Sequence, residues 1–404
     1  MKKTKSEKKA EKNIQSSVNI GLIGHVDAGK TSLVEALTGK WVDTHSEELK
    51  RGISIRIGYA DAAFYKCPNC GTYFSVEEKC PKCKSAGTFL RKVSFVDAPG
   101  HETLMTTMLS GAALMHGAIL VVAANEDCPQ AQTIEHLNAI KMSKIDQIVV
   151  VQNKIDLVTK EEAIKNYSQI QKFLKSYSVD APVIPIAAHL KINISALIEA
   201  LELYIKSPSL DENKPLKMYC GRSFDVNAPG TEIEKMVGGI LGGTILQGSV
   251  KVGDLVEISP GFDGKKIVTS VCNISTASGK LDSAKPGGLI AIETTLDPST
   301  TQNDQMKGQL IGAVGTLPEP SKEIDLEIHY MERTTSKAIQ GVKVGESLVL
   351  TIGTMTSLAI VKKVQGNKVS AQLKKEASFW KGQIVAISKQ HEMRWRLVAY
   401  GIVQ

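Results

Sequence analysis

The sequence predicts a phosphate-binding α/β domain with a metal-knuckle insertion, followed by two β-barrel domains. Three observations predict this fold class. A glycine-rich phosphate-loop pattern lies at residues 24–31. Strand and helix patterns alternate up to about residue 205, which predicts a parallel sheet with helices on both faces. Two C-x-x-C pairs interrupt that alternation. From about residue 215 onward, short β-rich runs separated by glycines are typical of barrels or sandwiches.

Length and charge restrict the class of protein. The 404 residues allow several domains, and the net charge of +7 permits an anionic partner without requiring one. The longest apolar run, residues 118–124, is too short to span a bilayer, and no signal-peptide pattern follows the N-terminal lysines. We therefore expect a cytoplasmic protein that does not enter a membrane.

The N-terminal segment is strongly basic. Residues 1–13 carry six lysines and two glutamates among polar residues. We interpret residues 1–15 as a disordered basic tail, and an RNA-contacting arm is the alternative.

The first motif of the α/β domain is the phosphate loop. Residues 24–31 (GHVDAGKT) fit G-x-x-x-x-G-K-[ST], with a strand pattern at 17–23 before it and a helix pattern at 32–37 after it. Successive backbone N–H groups and the helix N-terminus favour an anion there. We expect Lys30 to reach the β- and γ-phosphates and the Thr31 hydroxyl to ligate magnesium.

The second motif follows the strand pattern at residues 93–96, where D-A-P-G-H occupies residues 97–101. Asp97 is expected to hold magnesium through a water molecule. The N–H of Gly100 can bond a γ-phosphate, and because that phosphate is lost on hydrolysis, the loop can switch. We interpret His101 as the catalytic residue that positions the attacking water. The alternative is a histidine with no catalytic role.

The third motif selects the base. N-K-x-D occupies residues 153–156, directly after a strand pattern at 147–151. The Asp156 carboxylate can accept hydrogen bonds from the N1–H and exocyclic amine of guanine, which adenine does not offer in that arrangement. We expect Asn153 to brace the loop and the stem of Lys154 to cover the base. The pattern predicts GTP rather than ATP.

Two further segments complete the predicted site. Residues 183–188 form the fourth motif, where Ala187 and Ala188 replace the usual Ser-Ala, so a bracing hydroxyl is missing. Residues 47–59 form the other switch, in which Ser54 is the best candidate for the hydroxyl that ligates magnesium in the GTP state. Together the motifs predict an α/β P-loop GTPase domain.

The cysteines indicate a metal site. The two C-x-x-C pairs are Cys67 with Cys70 and Cys80 with Cys83, which is the spacing of structural zinc knuckles. A redox pair or a disulfide is the alternative, and the spacing does not distinguish zinc from iron. The isolated Cys128, Cys220 and Cys272 are expected to be small buried hydrophobic residues.

The remaining patterns set the domain boundaries. Residues 161–176 and 194–205 predict amphipathic helices, and residues 207–215 predict a linker. We expect a GTP-binding domain at 16–208 with its zinc knuckle at 67–83. The same patterns place the first barrel at 215–318 and the second at 322–404.

The arrangement resembles the translational GTPases of the elongation factor Tu class, and more narrowly the gamma subunit of archaeal initiation factor 2. The resemblance covers nearly the whole chain after the lysine-rich tail. The segments that carry it are residues 44–61, the cysteine knuckle, and residues 103–117, 123–132, 222–230, 284–298 and 394–403.

This resemblance implies a function and partners. The family binds methionylated initiator tRNA in its GTP form, delivers it to the small ribosomal subunit and hydrolyses GTP to GDP. It works as a heterotrimer, with the alpha subunit on the second domain and the beta subunit on the GTPase domain.

The resemblance also implies site residues. The magnesium ligands map onto Asp27, Thr31, Gly52 (through its backbone) and Ser54. The GTP contacts map onto the phosphate loop, the D-A-P-G-H loop and the two guanine-side loops; they are Asp27, Ala28, Gly29, Lys30, Thr31, Ser32, Gly100, Asn153, Lys154, Asp156, Ala187, Ala188 and His189. The chain departs from the family pattern at Ala28, where histidine is common, at His116, where aspartate is usual, and in short loops near 261–266.

Two other functions stay open at this point. A selenocysteine-specific elongation factor shares the GTPase domain and barrels, but we would expect an additional C-terminal domain. A metabolic GTPase, such as the regulatory subunit of a sulfate-activating enzyme, would share the GTP motifs but lack the knuckle.

Overall fold

The computed structural model describes residues 14–42, 57–101, 104–209, 211–331, 341–391 and 394–404. Gly52, Ser54 and residues 1–13 of the predicted basic tail lie outside the described residues. The chain divides into two compact units, Ser16–Pro208 and Ser209–Gln404, and Gln15 belongs with the latter.

The first unit is an α/β domain. Its strands and helices, in chain order, are β1 Asn19–Gly24, α1 Lys30–Thr38, β2 Gly58–Lys66, β3 Tyr73–Phe74, β4 Thr88–Asp97, α2 Met105–Ala112, β5 Gly117–Ala123, α3 Ala131–Met142, β6 Ile148–Asn153, α4 Lys160–Ser176, β7 Val183–Pro185 and α5 Ile194–Tyr204.

The sheet of this unit is mixed, not wholly parallel as the sequence predicted. Its order is β3-β2-β4-β1-β5-β6-β7. Strands β4, β1, β5, β6 and β7 run parallel, whereas β2 pairs antiparallel with β4 and β3 pairs antiparallel with β2. The parallel prediction is wrong at this edge because the cysteine segment joins β2 to β4 directly, without a crossover helix, and so reverses the chain.

Helices cover both faces of the sheet. On one face Ile20 and Leu22 of β1 share a buried core with Leu33 of α1 and Leu197 of α5. Helix α3 packs on β1 and β5 without contributing to that core, so it covers the other face. Because the central strands are parallel, the loops at their carboxyl ends meet along one edge.

The predicted helices are present. Helix α4 covers the predicted 161–176, and a capping box at Thr159 and Glu162 sets its first turn. Helix α5 ends one residue before the predicted 205. Among the described residues, no helix is both long and apolar enough to cross a membrane.

The second unit is built from strands. They are β8 Lys217–Phe224, β9 Ile240–Gln247, β10 Val250–Lys251, β11 Leu255–Phe262, β12 Lys265–Thr276, β13 Gly279–Leu281, β14 Ser283–Ala284, β15 Ile290–Thr294, β16 Leu310–Ala313, β17 Ser321–Tyr330, β18 Ser347–Ile352, β19 Met355–Gln365, β20 Lys368–Ala377, β21 Ile384–His391 and β22 Arg394–Val403.

The first barrel closes through six strands. Its order is β11-β16-β8-β9-β15-β12, and pairing of β11 with β12 completes the ring, with β13 added beside β12. Met218, Ile245, Ile258 and Ile292 form part of its core. Closure leaves few unpaired strand edges, which stabilises short strands such as β16.

The second barrel closes in the order β17-β20-β19-β18-β21-β22. Along β19 buried and exposed residues alternate, so one face fills the barrel and the other meets solvent. Leu326, Leu350 and Ile387 lie in its core. The predicted fold class, a GTPase-type α/β domain followed by two barrels, is confirmed.

Aromatic stacking joins the two barrels. The rings of Tyr219 and Trp380 lie 6.0 Å apart at 19°. The Gln383 amide donates to the Tyr219 hydroxyl at 3.2 Å, and the Thr354 hydroxyl donates to the carbonyl of Cys220 at 2.8 Å. Buried polar groups with such partners fix the barrels as one unit.

Candidate nucleotide-binding and metal sites

The phosphate loop lies between β1 and α1. Asp27 and Gly29 adopt left-handed backbone conformations, with φ of 59° and 89°. These conformations bend the chain sharply between the last residue of β1, Gly24, and the first of α1, Lys30. The helix N-terminus therefore points its first backbone N–H groups at the loop, where an anion is favoured.

The Lys30 ammonium is buried inside this loop. Its Nζ donates to the carbonyl of His25 at 2.7 Å and to that of Gly24 at 3.2 Å. The residue is only 7% exposed. Because a buried ammonium must be compensated, the loop carbonyls hold the charge in place beside the helix N-terminus.

The D-A-P-G-H loop approaches the phosphate loop closely. A Cβ at Gly100 would lie 2.5 Å from Nζ of Lys30 and 3.2 Å from the backbone nitrogen of Val26. A larger residue at this position would have to displace the Lys30 ammonium and would crowd the loop backbone. His101 follows directly and is half-buried.

Two side chains that carry oxygen atoms meet at the loop. The Thr31 hydroxyl donates to Oδ2 of Asp97 at 2.8 Å, and Asp97 is buried at the end of β4. A hydroxyl and a carboxylate are the hard oxygen donors that Mg²⁺ prefers, so these two residues fit a magnesium ion. The Asp27 side chain is exposed on the loop.

Asn153 connects the phosphate side to the base side. Its Nδ2 donates to the carbonyl of Ala28 at 2.9 Å, and its Oδ1 accepts from the N–H of Ala188 at 3.0 Å. The backbone of the fourth motif is therefore held without the serine hydroxyl that Ala187 lacks.

The loops on the side of the site expected to contact the base are partly exposed to solvent. Lys154 is left-handed with φ of 63°, and the N–H of Ile155 donates to the carbonyl of Ile186 at 3.3 Å. Asp156 and His189 are exposed. An exposed carboxylate on a braced loop is accessible to a planar base.

The four knuckle cysteines converge. Their Sγ atoms all lie within 4.8 Å of one another. The Cys67–Cys83, Cys70–Cys80 and Cys70–Cys83 pairs measure 3.3, 3.6 and 3.7 Å. A tetrahedral zinc ion with Zn–S bonds of about 2.3 Å needs sulfur atoms about 3.8 Å apart, so the cluster fits zinc.

The two halves of the knuckle share one backbone pattern. The N–H of Gly71 donates to the carbonyl of Cys67 at 3.0 Å, and the N–H of Lys84 donates to that of Cys80 at 2.9 Å. Gly71 and Lys84 are both left-handed. No disulfide joins any of the cysteines, and a hydrogen bond from Ser85 lowers the pKa of Cys67 to about 6. The thiolate is the form that ligates a metal, so the lowered pKa is compatible with the metal site.

Comparison with known proteins places the chain in a family. A family profile described as "Elongation factor Tu GTP binding domain" matches residues 15–207, and one described as "Initiation factor eIF2 gamma, C terminal" matches residues 322–403. A protein named translation initiation factor 2 subunit gamma from Methanosarcina mazei is 50% identical over 96% of this chain and 94% of its own length. The Methanocaldococcus jannaschii protein of the same name is 48% identical over 96% and 98%.

The chain belongs to the translation initiation factor 2 gamma-subunit family. It is a translational GTPase, as the resemblance implied.

Solved structures share the fold. A bacterial selenocysteine-specific elongation factor superposes with a TM-score of 0.76 at 24% identity, covering 96% of this chain and 58% of that one. The elongation factor SelB from Methanococcus maripaludis, bound to a GTP analogue, gives 0.72 at 22% identity, covering 97% and 79%. At these sequence identities, the similarity shows a shared fold and no more.

One departure from the gamma-subunit pattern has a structural explanation. His116 stands where aspartate is usual, and its Nδ1 accepts the backbone N–H of Asn19 at 3.1 Å. Burial lowers the pKa of His116 to about 4, so the ring is neutral and can accept. The imidazole thus supplies an acceptor at the start of β1.

Sequence reasoning missed another histidine at the site. His136 of α3 is buried, and its Nδ1 accepts the N–H of Gly24 at 3.0 Å. No motif marks it, because a histidine within an apolar helix pattern is most often a core residue. Isolated Cys128 and Cys220 are buried as expected, and burial raises the pKa of each to about 12. Cys272 is only half-buried.

The Asn153→Ala substitution should weaken guanine-nucleotide binding. It removes two hydrogen bonds that brace the loops, each worth about 1 kcal/mol, so the dissociation constant for GDP should rise about 10- to 100-fold. Fluorescence titration with a labelled GDP measures this. Asn193→Ala, which loses one bond to the carbonyl of Pro185, is the matched control and should leave the dissociation constant unchanged. Equal affinity of Asn153→Ala and the parent would contradict the bracing role.

Proposed function

We propose that this protein is a GTP-switched carrier of methionylated initiator tRNA. It delivers the tRNA to the small ribosomal subunit and leaves after hydrolysing GTP to GDP. The observation that carries the proposal is the contact of Gly100 with the Lys30 loop in a chain of the gamma-subunit family. Because the two loops lie against each other, a change in what the phosphate loop binds can move the D-A-P-G-H loop.

The phosphate loop binds the nucleotide through its backbone and Lys30. The amides of 27–32 receive the phosphates, and the ammonium exchanges loop carbonyls for β- and γ-phosphate oxygens. Magnesium, when bound, neutralises charge on those oxygens. The residues that would hold it are Thr31 and Asp97, the latter through water, with Asp27, Ser54 and the backbone of Gly52.

The γ-phosphate controls the switch. The N–H of Gly100 donates to it only before hydrolysis, so loss of phosphate releases the D-A-P-G-H loop. His101 follows Gly100 and orients the water that attacks the γ-phosphate. Asp156 reads guanine, Lys154 covers it, and the backbone of 187–189 contacts its carbonyl oxygen.

Protein partners dock on both units. We assign the alpha subunit to the first barrel, whose exposed apolar side chains include Leu255, Val268 and Val314, between 47% and 60% exposed. We assign the beta subunit to the α/β domain, where Leu157 and Ile164 are 62% and 57% exposed. Exposed apolar residues of this kind are common at protein interfaces. Because a carrier of initiator tRNA acts on the ribosome, we expect this protein to act in the cytoplasm.

The decisive experiment is filter binding of charged tRNAs with GTP against GDP. We expect methionylated initiator tRNA to bind more tightly in the GTP state by at least about 10-fold, because the γ-phosphate holds the switch. Elongator methionyl-tRNA and selenocysteinyl-tRNA are the matched controls. A preference for selenocysteinyl-tRNA would indicate an elongation factor, and the absence of any tRNA binding would favour a metabolic GTPase.

The His101→Ala substitution should separate binding from hydrolysis. GTP affinity should remain that of the parent, while ribosome-stimulated hydrolysis should fall by about 100-fold or more because water is no longer oriented. Single-turnover hydrolysis with small ribosomal subunits measures this. Unchanged stimulated turnover would remove His101 from the mechanism.

The knuckle should hold one zinc ion with a structural role. Cys70→Ser should lower the zinc content and the melting temperature of the purified protein, because a four-thiolate site loses a ligand. Metal analysis by mass spectrometry, which also detects iron, and thermal unfolding measure both. Cys272→Ser, outside the knuckle, is the control and should change neither. Full zinc content in Cys70→Ser would contradict the assignment.

A further inference from the structure

His136 is a buried histidine that the mechanism above does not use. It lies on α3 directly against the phosphate loop, where its Nδ1 accepts the N–H of Gly24 at 3.0 Å. It is only 1% exposed.

Its protonation state follows from its surroundings. Burial, followed by the positive charge of Lys30 and the neighbouring His25, lowers the pKa of His136 to about 3. The ring is therefore neutral. Because Nδ1 accepts, the proton resides on Nε2.

Burial of the unpaired N–H at Nε2 costs free energy, which the hydrogen bond at Nδ1 must offset. Within the described part of the chain, Nε2 is buried and has no hydrogen-bond partner. A buried unpaired polar group costs about 1–3 kcal/mol, which an apolar residue would avoid. The acceptor Nδ1 explains why a histidine occupies this position, because it satisfies the backbone N–H of Gly24 at the start of the phosphate loop.

Gly24 transmits the contact to Lys30. The N–H of Gly24 is held by His136, and the carbonyl of Gly24 accepts from Nζ of Lys30 at 3.2 Å. Gly24 also packs tightly on β5, since a Cβ there would lie 2.2 Å from the carbonyl oxygen of Val121. The orientation of this residue therefore depends on both neighbours.

We propose that His136 is a positioning residue for nucleotide binding. By accepting the N–H of Gly24, it holds the backbone of Gly24 in place, and the Gly24 carbonyl in turn holds the Lys30 ammonium ready for the β- and γ-phosphates. The inference rests on the proposed binding of GTP.

The chain contains a matched control. His116 is also a neutral histidine, half-buried, whose Nδ1 accepts a backbone N–H of β1, at 3.1 Å. Its partner, Asn19, is the first residue of β1, whereas Gly24 is the last. Each histidine accepts one backbone N–H of β1, and the two lie at opposite ends of the strand. Only His136 does so at the phosphate loop.

The test compares His136→Leu with His136→Asn in the full chain. The two new side chains have nearly the same shape, but only asparagine offers an acceptor, Oδ1, bonded to Cγ as Nδ1 is in histidine. We expect His136→Leu to bind labelled GTP about 10-fold more weakly than His136→Asn, as expected for one lost backbone hydrogen bond. His116→Leu should lower the melting temperature without changing the dissociation constant by more than about twofold.

Several outcomes would overturn the inference. They are equal affinities of His136→Leu and His136→Asn, or equal losses of affinity in His136→Leu and His116→Leu. If His136→Leu does not fold, His136→Asn decides: affinity near that of the parent supports the positioning role, and a 10-fold loss in a folded variant rejects it. A parent chain that binds no guanine nucleotide would instead reject the proposed function.

Discussion

The burial of one positive charge organises the α/β domain. The Lys30 ammonium lies within the phosphate loop with two backbone carbonyls as its acceptors. A buried charge is stable only when such partners are fixed, so the loop between β1 and α1 must curl back on itself. Left-handed Asp27 and Gly29 make this bend, and glycine at 100 leaves room for the neighbouring loop.

The parallel part of the sheet then gathers the remaining groups. Strands β1, β4 and β6 all end at the same edge, which brings the phosphate loop, the D-A-P-G-H loop and the N-K-x-D loop together. Cross-links between loops complete the arrangement: Thr31 donates to Asp97, and Asn153 binds both Ala28 and Ala188. Each link is a single hydrogen bond, but each joins segments far apart in sequence, so together they define one site.

Much of this could be predicted from local patterns. The phosphate loop and N-K-x-D encode backbone bends and side-chain chemistry within a few residues, and C-x-x-C spacing encodes a turn that brings two thiolates together. The antiparallel edge of the sheet could not be predicted, because alternating strand and helix patterns do not specify direction where a connection lacks a helix. His136 and His116 were not predicted as acceptors, because their partners are backbone groups on a distant strand.

The sequence by itself determined the class of ligand, the candidate residues of the site, the cysteine knuckle and the family. It could do so because those features depend on short segments whose geometry is set locally. Only the tertiary structure decided which groups touch: the loop carbonyls on Lys30, the bridge made by Asn153, the histidine beneath Gly24 and the Tyr219–Trp380 stack between the barrels. These contacts join residues up to 161 positions apart. Burial determines which polar contacts form, since a polar group removed from water must find a partner in whatever the fold places beside it.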